Sequence, residues 1–305
     1  MDFRGCVKLS EYFTEQFQRG IMLRYKEIFL GNRCNNKCLY CLYRRGDLLG
    51  PDFNTLTTDL KRGEEDSIAF YGGEPTLRND LLDIIHAAQK NGYRRIKLIT
   101  NGQAFSDNQT LHKIVDAGCY LFEIKLWGSN PDLNDYLTQT PGSFWQTIQG
   151  LKNLQGLSCD KFICLRIPIC NQNYADIINA ITMGINLGVN RVVLSLQDHN
   201  LRFKDLLHHI KFAINISILN RVWILTEGLP FCVMQGLEHH IGEIYYGYGN
   251  TTNHKSYKHH KRCQDCIYRE TCRGIEVEYL TKFGDAEFSP VKVNKYFQDI
   301  RSLYE

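Results

Sequence analysis

Three cysteines stand within eight positions of one short stretch, "NRCNNKCLYCLY" at 32–43: Cys34, Cys38 and Cys41. Thiolates are the usual ligands of iron–sulfur clusters. Three of them can hold a [4Fe–4S] cluster and leave one iron open to a small molecule. The competing reading is a structural zinc site with a distant fourth ligand. Zinc loops favour paired C-x₂₋₄-C elements with a second pair further along, and a C-x₃-C-x₂-C triplet with no such pair nearby fits that pattern poorly. A second group, "CQDCIYRETC", sets Cys263, Cys266 and Cys272 at C-x₂-C-x₅-C spacing. Cys6, Cys119, Cys159, Cys164, Cys170 and Cys232 are isolated, as small buried hydrophobes usually are.

The chain that must position these thiols has 305 residues, 43% of them hydrophobic. That is enough for one large domain, or one with a small appendage. A formal charge of +3 without a polybasic run gives no footprint for nucleic acid. The N-terminus carries charges throughout and does not read as a secretory signal. No stretch approaches the roughly 20 apolar residues of a membrane helix. The expected location is the cytosol, where disulfides are disfavoured and clustered cysteines point to metal or redox chemistry.

Short apolar runs at 25–31, 67–73, 95–102, 120–128, 162–169 and 191–197 read as strands. Between them, 79–92, 108–118, 142–156 and 173–188 repeat apolar residues at helical intervals, and most close with glycine. Strands this dense in Ile, Leu, Val and aromatics are those of a parallel sheet buried on both faces. Six strand–helix units predict an α/β sheet, open or curled into a partial barrel, with "VWILTEGLPFC" as a candidate seventh strand. After about residue 226 the composition turns to Tyr, Gly, Asn, His and Lys. Three regions are expected: an extension at 1–23, the α/β unit at 24–226 and an irregular small domain at 227–305. Cys34 follows the first strand directly, at the strand-end face where α/β folds build their sites.

C-x₃-C-x-aromatic-C after the first strand, with Tyr40 in the aromatic place, resembles the signature of radical S-adenosylmethionine (radical SAM) enzymes. Tyr71-Gly72-Gly73-Glu74-Pro75-Thr76 resembles that family's "GGEP" element, Thr100-Asn101-Gly102 ends the third strand, and Arg166 lies on the fifth. The resemblance covers roughly residues 24–226 and implies a partial (β/α)₆ TIM-like barrel. It implies that Cys34, Cys38 and Cys41 hold three irons of a [4Fe–4S] cluster, that S-adenosylmethionine chelates the fourth, and that its reductive cleavage yields a 5′-deoxyadenosyl radical that takes hydrogen from an organic substrate. The glycines would let strand-end carbonyls approach the ammonium of S-adenosylmethionine, Pro75 would stiffen the turn, and Glu74 would either accept from that ammonium or cap the next helix. Tyr40 would pack on adenine, Asn101 would reach the ribose or carboxylate, and Arg166 would fork a carboxylate or sit in a structural ion pair. Lys125 and Ser129 are further candidates, although "KLWG" stands where relatives with added clusters often have "SLDG".

Cys263, Cys266 and Cys272 resemble the SPASM and shorter twitch extensions that bind auxiliary clusters. Glu276 breaks the full SPASM pattern, so one auxiliary [4Fe–4S] cluster is expected, with Cys232 as fourth ligand. The alternative is zinc, with His254, His259 or His260. Strand alternation sets Cys170 on the side of Arg166, where a thiol could return a hydrogen atom; the alternative is a packing cysteine. A flavodoxin or ferredoxin donor is expected, since no G-x-G-x-x-G motif is present. The substrate leans to a peptide or protein by analogy with other SPASM-like chains, against a small molecule such as a sugar, aminoglycoside or cofactor precursor. A non-catalytic iron–sulfur carrier is the alternative of another class.

Overall fold

The computed structural model describes residues 25–41, 43, 50–61, 63, 65–198, 200–246 and 257–293; the 1–23 extension and His254 lie outside the described residues. Seven strands form one parallel sheet in sequence order: β1 Lys26–Phe29, β2 Ser67–Tyr71, β3 Arg95–Thr100, β4 Leu121–Lys125, β5 Phe162–Ile169, β6 Arg191–Leu196 and β7 Trp223–Glu227. The candidate seventh strand is therefore part of the sheet, paired with β6 from Arg191↔Trp223 to Ser195↔Glu227, so the sheet extends one strand beyond the (β/α)₆ expectation.

Among the described residues the helices are α1 Phe53–Asp59, α2 Leu81–Lys90, α3 Asn108–Asp116, α4 Pro131–Thr138, α5 Ser143–Gly156, α6 Ile177–Asn186, α7 Phe203–Leu219, α8 Gly242–Tyr246 and α9 Val277–Phe283. Their formation follows local chemistry. Leu81, Ile84, Ile85 and Ala88 of α2, and Ile177, Ala180, Ile181 and Gly184 of α6, bury one stripe at i, i+3, i+4, i+7. Asp107 caps α3 by accepting from the Gln109 and Thr110 amides, and Asn130 caps α4 ahead of Pro131.

One face of the strands packs on these helices through Ile68, Phe70, Leu98, Ile124, Leu165 and Val192. The other face closes on itself. Leu121, Phe162, Cys164, Val193, Leu225 and Tyr245 form a single buried cluster, and Tyr25, which leads into β1, packs against it. On a flat sheet β1 and β7 would lie about 29 Å apart, so the shared cluster requires the sheet to curl into a partial barrel with an apolar floor. After β7 the chain returns along its free edge: Ile241 bridges Thr226 in parallel, and the Thr226 hydroxyl donates to the His240 carbonyl at 3.0 Å. α8 then turns Ile244, Tyr245 and Tyr246 onto the floor.

The C-terminal part carries an antiparallel pair, β8 Tyr257–Lys258 with β9 Ile275–Glu276. It docks on the start of α7, where Tyr279 stacks on Phe203 with ring centroids 4.2 Å apart and its hydroxyl accepts from the Phe203 amide at 3.0 Å. Among the described residues no helix is long and apolar enough to cross a membrane.

Candidate active site

The cysteine loop leaves the C-terminal end of β1 and is fastened on three sides. Gly73 N donates to Gly31 O and Glu74 N to Arg33 O, both at 2.7 Å, tying the loop to the end of β2. Lys37 N and Leu39 N donate to Thr138 O and Leu137 O, each at 2.9 Å, at the end of α4. Side-chain amides make the third tie: Asn101 Nδ2 donates to Asn35 Oδ1 (2.7 Å), Asn35 Nδ2 to Gln103 Oε1 (2.8 Å) and Gln103 Nε2 to Asn36 Oδ1 (2.8 Å). Gln103, Asn35 and Asn36 were not singled out from sequence. The signal available was the Asn-Asn pair inside the cysteine triplet, two donors with no helix to cap.

The glycines serve this fastening. A Cβ on Gly73 would meet the Asn32 and Arg33 carbonyl oxygens at 2.4 Å, and one on Gly72, whose φ is +150°, would meet Gly31 O at 2.2 Å. The close approach that the sequence assigns to an ammonium is made here by the chain's own backbone.

Glu74, 3% exposed, takes the capping role and more. Its Oε1 accepts from Thr76 N (3.1 Å), Thr76 Oγ1 (2.7 Å) and Thr100 Oγ1 (2.6 Å), and its Oε2 from Asn101 N (2.7 Å). One carboxylate thus caps the turn Pro75–Leu77, with Pro75 at its first position, and joins the ends of β2 and β3.

The three cysteines are half-buried and close enough to act on one another. Burial, then Glu74 and Cys41, pushes Cys34 up to about 11; burial, then Cys41 and Cys34, pushes Cys38 up to about 12. Lys125 pulls both the other way and lies 5.9 Å from the Tyr43 ring. Tyr40 stacks on Trp127 at 6.1 Å; its hydroxyl donates to Gln172 Oε1 at 2.8 Å and lies 3.1 Å from Asp198 Oδ2.

Three sequence candidates meet protein partners instead of open space. Arg166 gives its fork to Glu227 and its Nε to Glu123, which Lys97 also pairs. That is the ion-pair alternative, and it arises from the register: Glu123 lies diagonally opposite Arg166 on the neighbouring strand β4, and Glu227 shares its face on β7, one strand beyond β6. Burial opposes the charge on Glu123, but Arg166 and then Lys97 hold its carboxyl well below the usual range. Ser129 donates its hydroxyl and amide to Asp176, at 2.6 and 2.7 Å, which joins two loops. Cys170 is fully buried with Trp127 and Leu137 beneath Cys38 and Tyr40, and burial pushes its thiol up to about 11. Cys38 and Tyr40 of the cysteine loop pack against this cluster, surroundings that match the packing alternative.

The second cysteine group gathers four thiols. Burial and then Cys272, with Cys263 and Cys266, push Cys232 up to about 12, which places it beside the C-x₂-C-x₅-C set. The ring of Phe231 meets that of Tyr268 at 5.3 Å, holding the Cys232 turn against the segment between Cys266 and Cys272. His259 Nε2 lies 2.8 Å from the Cys272 carbonyl and His260 Nε2 3.2 Å from Asp285, so both rings are engaged away from the thiols. Among the described residues no three His, Cys, Asp or Glu side chains converge as for a single metal ion. Thiol sets of this kind are the ligands that iron–sulfur clusters and zinc both take.

A cysteine triplet fastened over the C-terminal mouth of a curled parallel sheet defines a class, and the sequence comparison agrees. Residues 28–184 match the profile of the Radical SAM superfamily. The chain belongs to that superfamily. Human molybdenum cofactor biosynthesis protein 1 is 29% identical over 238 residues, 74% of this chain and 36% of that protein. A probable GTP 3′,8-cyclase of Saccharolobus solfataricus is 28% identical over 172 residues, 55% of this chain and 54% of that enzyme. The chain thus spans between about a third and a half of the length of these curated relatives. By fold it resembles anSMEcpe with bound AdoMet (TM-score 0.61, 15% identity, 91% of this chain and 96% of that one) and Streptococcus suis SuiB bound to precursor peptide SuiA (TM-score 0.56, 16% identity, 73% and 53%).

Proposed function

We propose that the chain is a radical SAM enzyme that reductively cleaves S-adenosylmethionine and abstracts hydrogen from a peptide or protein. The observation that carries this reading is the fastening of Cys34, Cys38 and Cys41 to the ends of β2 and β3, over a lumen lined by charged residues. A [4Fe–4S] cluster with S-adenosylmethionine on its open iron would supply one electron and a 5′-deoxyadenosyl radical. The chain's own work would be to hold and enclose: the main chain at Gly72–Pro75 and the side chains of Asn101 and Lys125 would bind the S-adenosylmethionine, and Tyr40, stacked on Trp127, would wall it. Cys232, Cys263, Cys266 and Cys272 would hold one auxiliary [4Fe–4S] cluster able to accept the substrate's second electron, and a flavodoxin or ferredoxin would supply the first.

Support for a peptide comes by analogy from SuiB, which is bound to a precursor peptide, and from anSMEcpe, solved with a bound peptide. The sequence relatives named as GTP 3′,8-cyclases favour a second reading, a small-molecule substrate such as a purine nucleotide. Anaerobic reconstitution with S-adenosylmethionine and dithionite tests the class: 5′-deoxyadenosine forms, and a Cys34/Cys38/Cys41→Ala variant makes none. No 5′-deoxyadenosine from the intact chain carrying its full iron leaves an iron–sulfur carrier. Faster 5′-deoxyadenosine formation with millimolar GTP than with a peptide pool transfers the assignment to the second reading.

A further inference from the structure

The lumen is layered. Above the apolar floor lies a charged tier contributed by Glu27 on β1, Lys97 on β3, Glu123 on β4, Arg166 on β5 and Glu227 on β7. Lys97 pairs with Glu123, and Arg166 with Glu123 and Glu227. Glu243 on α8 joins this tier at the end of β7. Its Oε1 accepts from Gly228 N at 2.7 Å, while Oε2 is buried with no hydrogen-bond partner among the described residues, and the whole residue is 8% exposed. An ionised carboxylate left that way costs several kcal/mol unless a proton or a cation compensates it. On β1, the other edge strand of the sheet, Glu27 Oε2 is also buried without a partner among the described residues. Glu27 acts on Tyr43 and Tyr71, whose rings pack with Phe29 at 5.6 to 6.3 Å. Arg166 acts on the same Tyr43. Buried carboxylate oxygens without a partner among the described residues, Oε2 of Glu243 and Oε2 of Glu27, are compensated when a cation meets them.

We propose that the Glu243 carboxylate, beside the Arg166-paired Glu227, is a substrate subsite that takes a positively charged group, an ammonium or a guanidinium. This rests on the reading of the chain as a radical SAM enzyme and narrows its substrate to a cationic one, such as a peptide presenting a lysine or arginine. A nucleoside triphosphate would set its negative charge against these carboxylates. Burial and then Glu227 push Glu243 up to about 7. Tyr246 on the same helix bonds Glu227, Arg166 pairs with Glu227 from β5, and Arg273 and Tyr257 act on Glu243 from the C-terminal part. A bound cation favours the ionised form, so it expels the proton.

The test uses the full reconstituted chain and two probes of equal shape, n-butylguanidinium and neutral n-butylurea, titrated calorimetrically. The cation binds roughly tenfold or more tighter than the urea, as expected for a charge-assisted hydrogen bond. Its affinity rises from pH 6 to pH 8, and roughly half a proton is released per cation bound at pH 7. Glu243→Gln is isosteric with the protonated acid, and it lowers cation affinity about tenfold and flattens the pH dependence. Equal binding of both probes, no proton release by the wild-type chain, or a Glu243→Gln affinity equal to wild type overturns the subsite. Proton release is read on the unaltered chain, so the subsite stays testable even where the variant misfolds. Probe binding needs no S-adenosylmethionine cleavage: cation binding without 5′-deoxyadenosine formation removes the enzymatic reading alone, and the converse removes the subsite alone.

Discussion

The two cysteine sets are built by opposite means. Cys34, Cys38 and Cys41 come from one loop of eight residues whose backbone is bonded to the end of β2, to the end of α4 and, through Asn35 and Asn36, to the turn after β3. Cys232, Cys263, Cys266 and Cys272 come from two stretches about thirty residues apart. They meet over the Phe231–Tyr268 contact, a main-chain bond from Ile267 N to Val291 O at 2.9 Å, and two strands of two residues each. The first set has its shape imposed by the barrel, as an open coordination site requires. The second is held by short turns and by Tyr268, Ile275, Tyr279, Phe288 and Val291 in the core rather than by the ends of the sheet strands, so a metal group on its four thiols would add to the folding energy of this part.

The sharpest way to break that comparison is to empty each set in turn. Replacing Cys34, Cys38 and Cys41 together by Ala reduces iron from close to eight per chain to about four and abolishes 5′-deoxyadenosine formation. It leaves hydrogen exchange across β1–β7 nearly unchanged. Cys232→Ala should do the reverse: about four irons are lost, 5′-deoxyadenosine is still formed, and the amides of 257–291 lose protection. If the intact chain carries about four irons and one zinc, the second set is not a cluster site. If Cys232→Ala leaves 257–291 protected, the C-terminal part folds without its thiols and the two sets do not differ in this way.

That contrast was only half legible in the sequence. The cysteine spacing and the position of Cys34 after a strand located the first set, because strand-end sites in parallel sheets follow from topology. The apolar runs gave the strands, since burial on both faces leaves a continuous signal. The helix α7 was harder to read: Phe212, Ile218 and Leu219 are exposed at 54%, 59% and 84%, which blurs its apolar stripe, and Asn220 ends it where a glycine was the cue used elsewhere. The partners of Arg166 and Glu74 were not legible at all. Glu123 and Glu227 are separated from Arg166 by 43 and 61 residues; the strand order and register, β4 beside β5 and β7 one strand beyond β6, bring them together. Spacing reports what one element can do; it says little about which side chains meet across a lumen.

A single added methyl group tests whether the first loop is imposed by the barrel. In Gly73→Ala the new Cβ would sit 2.4 Å from two main-chain oxygens, Asn32 O and Arg33 O. Neither can swing away as a side chain would, so the loop must move. The expected cost is about 3 kcal/mol, read as a lower urea midpoint. Iron should be lost selectively from the first set while the C-terminal set keeps its own. Full iron on both sets would show that the loop tolerates displacement and that its fastening is not needed to hold the thiols.

The smallest perturbation separates the amide ties from the main-chain ties. Gln103 is 5% exposed, accepts from Asn35 and donates to Asn36. In Gln103→Ala both bonds go, yet Asn101 Nδ2 still holds Asn35 Oδ1, and the Gly73 and Glu74 amides still hold Gly31 O and Arg33 O. The Asn35 side chain is exposed enough for water to replace the lost partner, so the net cost is about 1 kcal/mol. Opening of the loop should therefore become about fivefold more frequent. Hydrogen exchange reads this directly: the amides of Lys37 and Leu39, bonded to α4, exchange about fivefold faster, while those of Ile96 to Thr100 within β3 do not change. Iron content should fall little, because the main-chain ties still set the loop's path. Unchanged exchange at Lys37 and Leu39 would mean that the side-chain amides follow the loop rather than hold it, and that the backbone bonds to β2 and α4 alone fix the three thiols.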